Sequence, residues 1–385
     1  MSVKIGVAIC TEDDPLDAGA DAARAVAEAL GGAPADIALL FASGEHLAAP
    51  EAALEAVHSV LAPGALVGCA AGGVLGSGRE LEGETALALW AASLGADGRA
   101  TAFHTTVEDD GLGSTIAGLP PLEGSSGVIL LADPYSFPTD VVLGLIAEQA
   151  PGVPVLGGIA SAHGPDGPLF VDGELYEQGA VGVSLEGVEM LPCVSQGAAP
   201  LGRELTITAA EGNIIHELAG RPALQTVERI IAELSPRERG LVAGGLLIGI
   251  VIDSGKPEFE QGDFLVRGVL GADPESGSLA VGANVRSGQV VRLHARDARS
   301  ADEDLRRALR LQLEAMAGGT PAGALLFSCN GRGCAELSLN GLGVVIRGAE
   351  HRASAAGFFA TGEIGPVGGR SFLHGFTATL AVFPG

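Results

Sequence analysis

Short continuous apolar runs alternate with amphipathic stretches along most of the chain, the pattern of buried strands and covering helices. "KIGVAIC" (4–10) has the composition of a strand. "TEDDP" follows, with capping carboxylates and a proline suited to a helix start. Ala23, Val26, Ala27 and Leu30 then share one helix face, and Gly31-Gly32 ends it. "IALLFAS" (37–43) is apolar throughout, as a strand covered on both faces is. Leu54, Val57 and Leu61 stripe the next helix, and "ALVGCAAGG" (65–73) is a second buried strand ending in glycines. "ETALALWAASL" and "RATAFHTTV" are strand-like.

The scheme returns twice. "GVILLADPYSF", a helix carrying Val142, Leu145 and Ile146, "VPVLGGIASAHG" and a hairpin turning at Asp172-Gly173 form a second copy. "GALLFSCNGRG", "AAGFFATGEIGPVGG" and "SFLHGFTATLAVF" form a third at the chain end. Gly68, Gly157 and Gly357 occupy matching places, as do Ala71, Ala160 and Ala360. A period of roughly ninety residues is too long for a solenoid and indicates repeated α/β units. The apolar tail is thereby expected to complete a sheet.

Residues 201–317 break the scheme. "ELTITAAEG" predicts a short strand. Ile214, Ile215 and Leu218 predict a first helical stripe, and Leu224, Val227, Ile230, Ile231 and Leu234 a second. "GLLIGIVID", "DFLVRGVLGAD", "SLAVGANV" and "QVVRLHARD" predict a meander of strands, closed by a helix over 302–317. The expectation is an α/β protein of mixed β-sheets flanked by helices, built from duplicated β-α-β-β units. Its two domains would cover 1–200 and 201–385.

Composition narrows the function. The 385 residues are 47% hydrophobic but 4% aromatic, so the core must rest mainly on Ala, Val, Leu and Ile. A formal net charge of −25 argues against nucleic-acid binding, which needs a basic face. The cluster Arg306, Arg307 and Arg310 stands beside Glu303 and Asp304, as on a solvated helix face. Cysteines at 10, 69, 193, 329 and 334 form neither a disulfide framework nor a zinc pattern. The start lacks a signal-peptide layout, and the longest apolar run (241–252) is too short for a membrane span. A cytoplasmic protein away from membranes is expected.

No catalytic motif is intact: G-x-S-x-G, the P-loop lysine motif and H-E-x-x-H are all missing, and the expectation is a protein that is not an enzyme. "GGVLGSG" (72–78) departs from the dinucleotide-binding spacing. "CNGRG" (329–333) directly follows a buried strand, placing Asn330 and Arg332 where ligands enter open sheets. The Arg332 guanidinium suits either a ligand carboxylate or a structural acid. Glu363, in "TGEIGP", needs a partner in so apolar a setting, either Arg332 or a ligand amine. Together Asn330, Arg332 and Glu363 could grip both ends of a zwitterion. Arg267 stands among apolar neighbours, with Asp263 as a candidate internal partner. His374 is either a core histidine or a ligand contact. Cys329 offers a thiol without an adjacent base.

"ALLFSCNGRG", followed by "AGFFATGEIGPVGGRSFLHGFTATLAVF", resembles the C-terminal domain of the FIST (F-box and intracellular signal transduction) family, as does "GDFLVRGVLGAD". "VGCAAGGVLGSGRE" and "VLGGIAS" are similar to its N-terminal domain. The resemblance implies a sensory module binding a small ligand, an amino acid being the usual proposal. It puts Asn330, Arg332, Glu363 and His374 among the family's motif positions. It also implies two alternatives: a haem-binding nitric-oxide sensor, or a protein-interaction scaffold without a small ligand. The sequence departs from the family at "AELSLNGLGVVIRGAEH", where Gly341 and Gly343 weaken an otherwise expected helix. With no output domain attached, a signal would pass to a separate signalling protein. Oligomeric state is left open.

Overall fold

The structure, a computed structural model, describes residues 2–109, 114–162, 167–260, 262–316, 318–331 and 354–385. Arg332, Cys334 and the glycine-bearing stretch around 341–343 lie outside the described residues.

The first copy runs β1 (Lys4–Cys10), α1 (Pro15–Ala29), β2 (Ile37–Ser43), α2 (Pro50–Leu61), β3 (Leu66–Ala70), a hairpin β4 (Gly73–Gly76) and β5 (Arg79–Glu82), and β6 (Ala86–Ser93). The Asp14 carboxylate caps α1, accepting from the backbone N–H groups of Leu16 and Asp17 at 2.9 and 3.1 Å. The second copy runs β7 (Arg99–Asp109), β8 (Ser114–Ala117), β9 (Gly127–Ala132), α3 (Thr139–Gln149), β10 (Val155–Ile159), a hairpin β11 (Leu169–Val171) and β12 (Glu174–Tyr176), and β13 (Ala180–Glu186). The third opens with β14 (Leu191–Gln196).

The chain then builds a separate body: β15 (Ala198–Glu211), β16 (Ile214–Leu218), β17 (Arg221–Pro222), α4 (Ala223–Glu233), α5 (Pro236–Ala243), β18 (Leu246–Val251), β19 (Phe264–Asp273), β20 (Ser278–Val281) and β21 (Val290–Arg296). The third copy resumes with α6 (Ala298–Ala315), β22 (Pro321–Cys329), β23 (Ala355–Ala360), a hairpin β24 (Glu363–Val367) and β25 (Arg370–His374), and β26 (Thr377–Pro384). Two compact units result. One holds Met1–Val194, Leu305–Leu373 and Ala378–Gly385, and the other Ser195–Asp304 with His374–Thr377. The second unit thus interrupts the third copy, between β14 and the later part of α6.

In the first unit each copy has a central strand, β2, β9 or β22, with a parallel partner on one side (β3, β10, β23) and an antiparallel one on the other (β6, β13, β26). The matching glycines face leucines across the parallel pairs: Gly68 opposite Leu40, Gly157 opposite Leu130, Gly357 opposite Leu326. In each case a β-carbon would collide with the leucine's carbonyl oxygen, which is why all three positions are glycine. The apolar tail is β26, paired along its length with β22, as the sequence led us to expect.

The hairpins are exchanged in a cycle. That of the first copy pairs with the third copy's β23, that of the second with the first copy's β3, and that of the third with the second copy's β10. No copy therefore completes its own sheet. The inner faces of the three sheets share one core, in which Phe41 meets Phe327 and Phe358 at ring-centroid distances of 6.4 and 5.1 Å, and Trp90 meets Phe383 at 5.3 Å. The helices cover the outer faces: α1 and α2 on the first, α3 on the second, α6 on the third. Phe41, Trp90, Phe327, Phe358 and Phe383 are buried where three sheets must be filled at once, each burial contributing about 1.5–3 kcal/mol.

The second unit is an antiparallel barrel. Its strands follow the order β15-β21-β18-β19-β20-β16, and β16 pairs back onto β15. Bulges interrupt β15 and β19, where closure demands a bend. Two expectations are corrected here. Residues 214–218 are the strand β16 and not a helix: Gly212, at φ 56°, turns the chain into a hairpin with β15, and β-branched Ile214 and Ile215 suit the ladder. The last strand of the supposed meander, β21, returns to pair with β18 instead of β20. "GGVLGSG" is the strand β4 and its turn into β5, with Ser77 and Gly78 at positive φ, and not a phosphate loop.

Candidate functional site

In open α/β sheets the ends of parallel strands are the usual place for a ligand. Here the C-terminal ends of β3, β10 and β23 are stitched together. The Gly72 N–H donates to Ser161 Oγ at 3.0 Å, and that hydroxyl donates to the Phe359 carbonyl, so one side chain links all three copies. The Ile159 N–H donates to Gly362 O at 2.8 Å, and the Thr361 N–H to Ile159 O at 3.1 Å.

The cyclic exchange defines equivalent positions, and one of them breaks the symmetry. On the first strand of each hairpin, Val74 stands opposite Phe358, Leu169 opposite Cys69 and Glu363 opposite Gly158. All three side chains have 0% exposure. A carboxylate therefore occupies the place that is aliphatic in the other two copies. Its cross-strand neighbour is glycine, where a β-carbon would stand 2.8 Å from the Ala360 β-carbon. The Asn330 N–H donates to the Ala360 carbonyl at 2.9 Å, which sets exposed Asn330 at the same strand end as the Thr361–Glu363 turn.

The residues after the central strands also differ between copies. Ser43, Asp133 and Cys329 are equivalent by register with the paired leucines. Ser43 Oγ donates to the Glu84 carbonyl at 2.8 Å. The Asp133 carboxylate accepts from the N–H groups of Tyr135 and Ser136 at 3.0 and 2.7 Å, fixing the loop after β9. Cys329 is 5% exposed, a poor position for a nucleophile. Burial raises the Cys69 thiol well above its usual range.

Of the five residues singled out in the sequence, Asn330 and Glu363 come together at one end of the first unit. Arg267 and His374 belong to the second unit, and Arg332 lies outside the described residues. Arg267 is half-buried on β19, and its Nη1 donates to the Val266 carbonyl at 3.1 Å. Asp263 pairs with Lys256 at 2.5 Å. His374 is 2% exposed.

One feature of the first unit had no sequence signal. The His104 and Tyr176 rings stack at 3.8 Å between centroids and 19° between planes, on the wall of a cavity of about 620 Å³. The partners are 72 residues apart in the chain, and the pairing of β13 with β7, which sets Val181 opposite His104, brings them together. This cavity also bears on haem, because His104 is the histidine that lines it. Its Nε2 is engaged by the Gln178 carbonyl at 2.8 Å and its ring is covered by Tyr176. That arrangement does not fit an axial ligand. Among the described residues, no group of three His, Cys, Asp or Glu side chains is suited to hold a metal ion. Nor is any helix there long and apolar enough to cross a membrane.

Two family models match the chain: the FIST N domain over residues 36–221 and the FIST C domain over 223–366. The chain belongs to the FIST family. Neither matched domain is an F-box, so the F-box part of the expected family description is corrected. FIST domains are sensory domains of signal transduction. The FIST chain is 39% identical to an uncharacterized protein of Mycobacterium tuberculosis over 394 aligned positions, spanning 99% of this chain and 100% of that protein. An uncharacterized protein of Mycobacterium bovis is also 39% identical, with 99% of each chain covered. The boundary between the two models falls between β17 and α4, inside the second compact unit.

Proposed function

We propose that this FIST protein is a small-ligand sensor, with no catalytic role, whose ligand carries an ammonium group, an amino acid being the leading class. The observation that supports it is the symmetry break at Glu363. The equivalent positions of the other two copies hold Val74 and Leu169, so the acid is a departure from the repeat that packing does not require. Placed at the junction of three strand ends, with exposed Asn330 at the same strand end, it suits recognition of a cation. Arg332, two residues beyond Asn330, is the natural partner for the carboxylate of a zwitterion. Readout would pass to a separate signalling protein in the cytoplasm, with neither nucleic acid nor membrane as partner.

The test is a thermal melt of the full chain against a panel of L-amino acids, repeated with Glu363→Gln. A ligand at a hundredfold excess over Kd stabilises by about 2.7 kcal/mol, a shift such melts resolve easily. Stabilisation by at least one amino acid, lost in the variant, is the expected result. A panel without effect on the wild-type protein would favour the interaction scaffold, and a response unchanged in Glu363→Gln would remove Glu363 from the site.

A further inference from the structure

The 620 Å³ cavity lies apart from Glu363 and carries the His104–Tyr176 stack on its wall. It is lined from three directions: the residues leading into α2 (Leu47 among them), β7 (His104) and the exchanged hairpin with its following turn (Leu175, Tyr176, Glu177). Its size falls within the range of small-molecule sites. Its walls are set by hydrogen bonds independent of any ligand. Tyr176 Oη donates to Glu174 Oε2 at 2.7 Å. The Gln178 carbonyl can only accept, so His104 Nε2 donates to it, which fixes the orientation of the ring.

The chemistry of the lining is one-sided. Glu51 and Glu177 contribute carboxylates, and among the described residues no Lys or Arg lines the cavity. The rest is apolar or aromatic, with Leu47, Pro168 and Leu175 beside the stacked rings. An anion would meet two like charges here. A cation with a flat apolar body would meet two carboxylates and an aromatic surface that attracts positive charge.

We infer that this cavity binds an aryl-alkyl amine through Glu51, Glu177 and the His104–Tyr176 stack, separately from the Glu363 site. The experiment is calorimetric titration of the full chain with three probes sharing one ring: tyramine, the neutral alcohol tyrosol, and 4-hydroxyphenylacetate. Saturable binding of tyramine, weaker by about tenfold for tyrosol and undetected for the acid, is expected. Glu177→Gln, at an exposed position, and Tyr176→Leu should each weaken tyramine about tenfold, while Glu363→Gln leaves it unchanged. If Tyr176→Leu misfolds, Glu177→Gln and the His104 imidazole NMR signals, which should shift on titration, still decide. No binding of tyramine, equal binding of the acid, or indifference to Glu177→Gln would overturn the inference. Loss of binding in Glu363→Gln would move the amine to the other site.

Discussion

Gly357 faces Leu326 across a parallel strand pair, and the Leu326 carbonyl oxygen fills the space a β-carbon would need. The same relation joins Gly157 to Leu130 and Gly68 to Leu40. Because backbone is the obstacle, no rotamer relieves it. Gly357→Ala should cost about 4 kcal/mol or more, or abolish folding, as read by urea denaturation. Gly144, inside α3, is the control: a β-carbon there would have Arg370 Nη2 as its nearest neighbour at 3.7 Å. Gly144→Ala should stabilise by about 0.5–1 kcal/mol. Equal effects of the two substitutions would contradict the close approach.

The carboxylate of the third copy should not transfer to the first. Val74 is fully buried in the core shared by the three sheets. Val74→Glu places there the residue that Glu363 is at the equivalent position, but opposite Phe358 instead of Gly158. A destabilisation of about 3 kcal/mol or more is expected, with the melt midpoint falling on acidification less than that of the wild type, since protonation relieves the burial. A neutral outcome would mean that the equivalent positions share a tolerance for charge and that Glu363 marks no special environment.

Much of this organisation is legible in the chain. The glycine matches at 68, 157 and 357 and the alanine matches at 71, 160 and 360 reveal the repeat, and at the glycines close backbone approach leaves no other residue type. Glu363 stands out because an acid between glycines in an apolar run has no packing role. What is hidden is partnership. The sequence reads a strand and turn around Leu169 and Glu363 and only a glycine loop around Val74, and nowhere shows that these segments join another copy's sheet, since pairing depends on the three-dimensional path. The second unit is hidden for the same reason: nothing local in β14 or α6 marks them as parts of an interrupted copy. At 214–218 the spacing of Ile214, Ile215 and Leu218 fits a helix as well as a strand, and only the Gly212 turn decides.

Asp304 ties the two ends of the second unit. Its Oδ2 accepts from Ser195 Oγ at 3.0 Å and from the Gln196 N–H at 2.9 Å, and all three residues are buried. Gln196 reaches further, its Oε1 accepting from the Gly262 N–H at 3.2 Å and its amide nitrogen donating to the Phe264 carbonyl. Asp304→Ala removes charge-assisted bonds to two buried donors and should cost about 2–3 kcal/mol. Hydrogen exchange should locate the loss: faster exchange in β15, β18 and β19, with β2, β9 and β22 unchanged. Uniform acceleration across both units would contradict a local tie.

His294 gives the second unit an acid-side weakness. It lies on β21 with 0% exposure, its ring at 5.1 Å and 62° to Phe264, and Gly249 provides the clearance its ring needs. Burial is the main cause that pushes its pKa from 6.5 down to about 4, helped by the Arg292 charge and opposed by the contact of Nδ1 with the Arg292 carbonyl at 3.0 Å. The folded protein therefore keeps the ring neutral where the unfolded chain takes up a proton. The stability this represents is complete above the unfolded value near 6.5 and is lost as pH falls towards 4, about 3 kcal/mol in all. In His294→Asn, whose amide can still donate to the Arg292 carbonyl, the stability difference between pH 7 and pH 4 should shrink by about that amount. Denaturation of both proteins at the two pH values measures it, and an unchanged difference would show that His294 is not the group titrating.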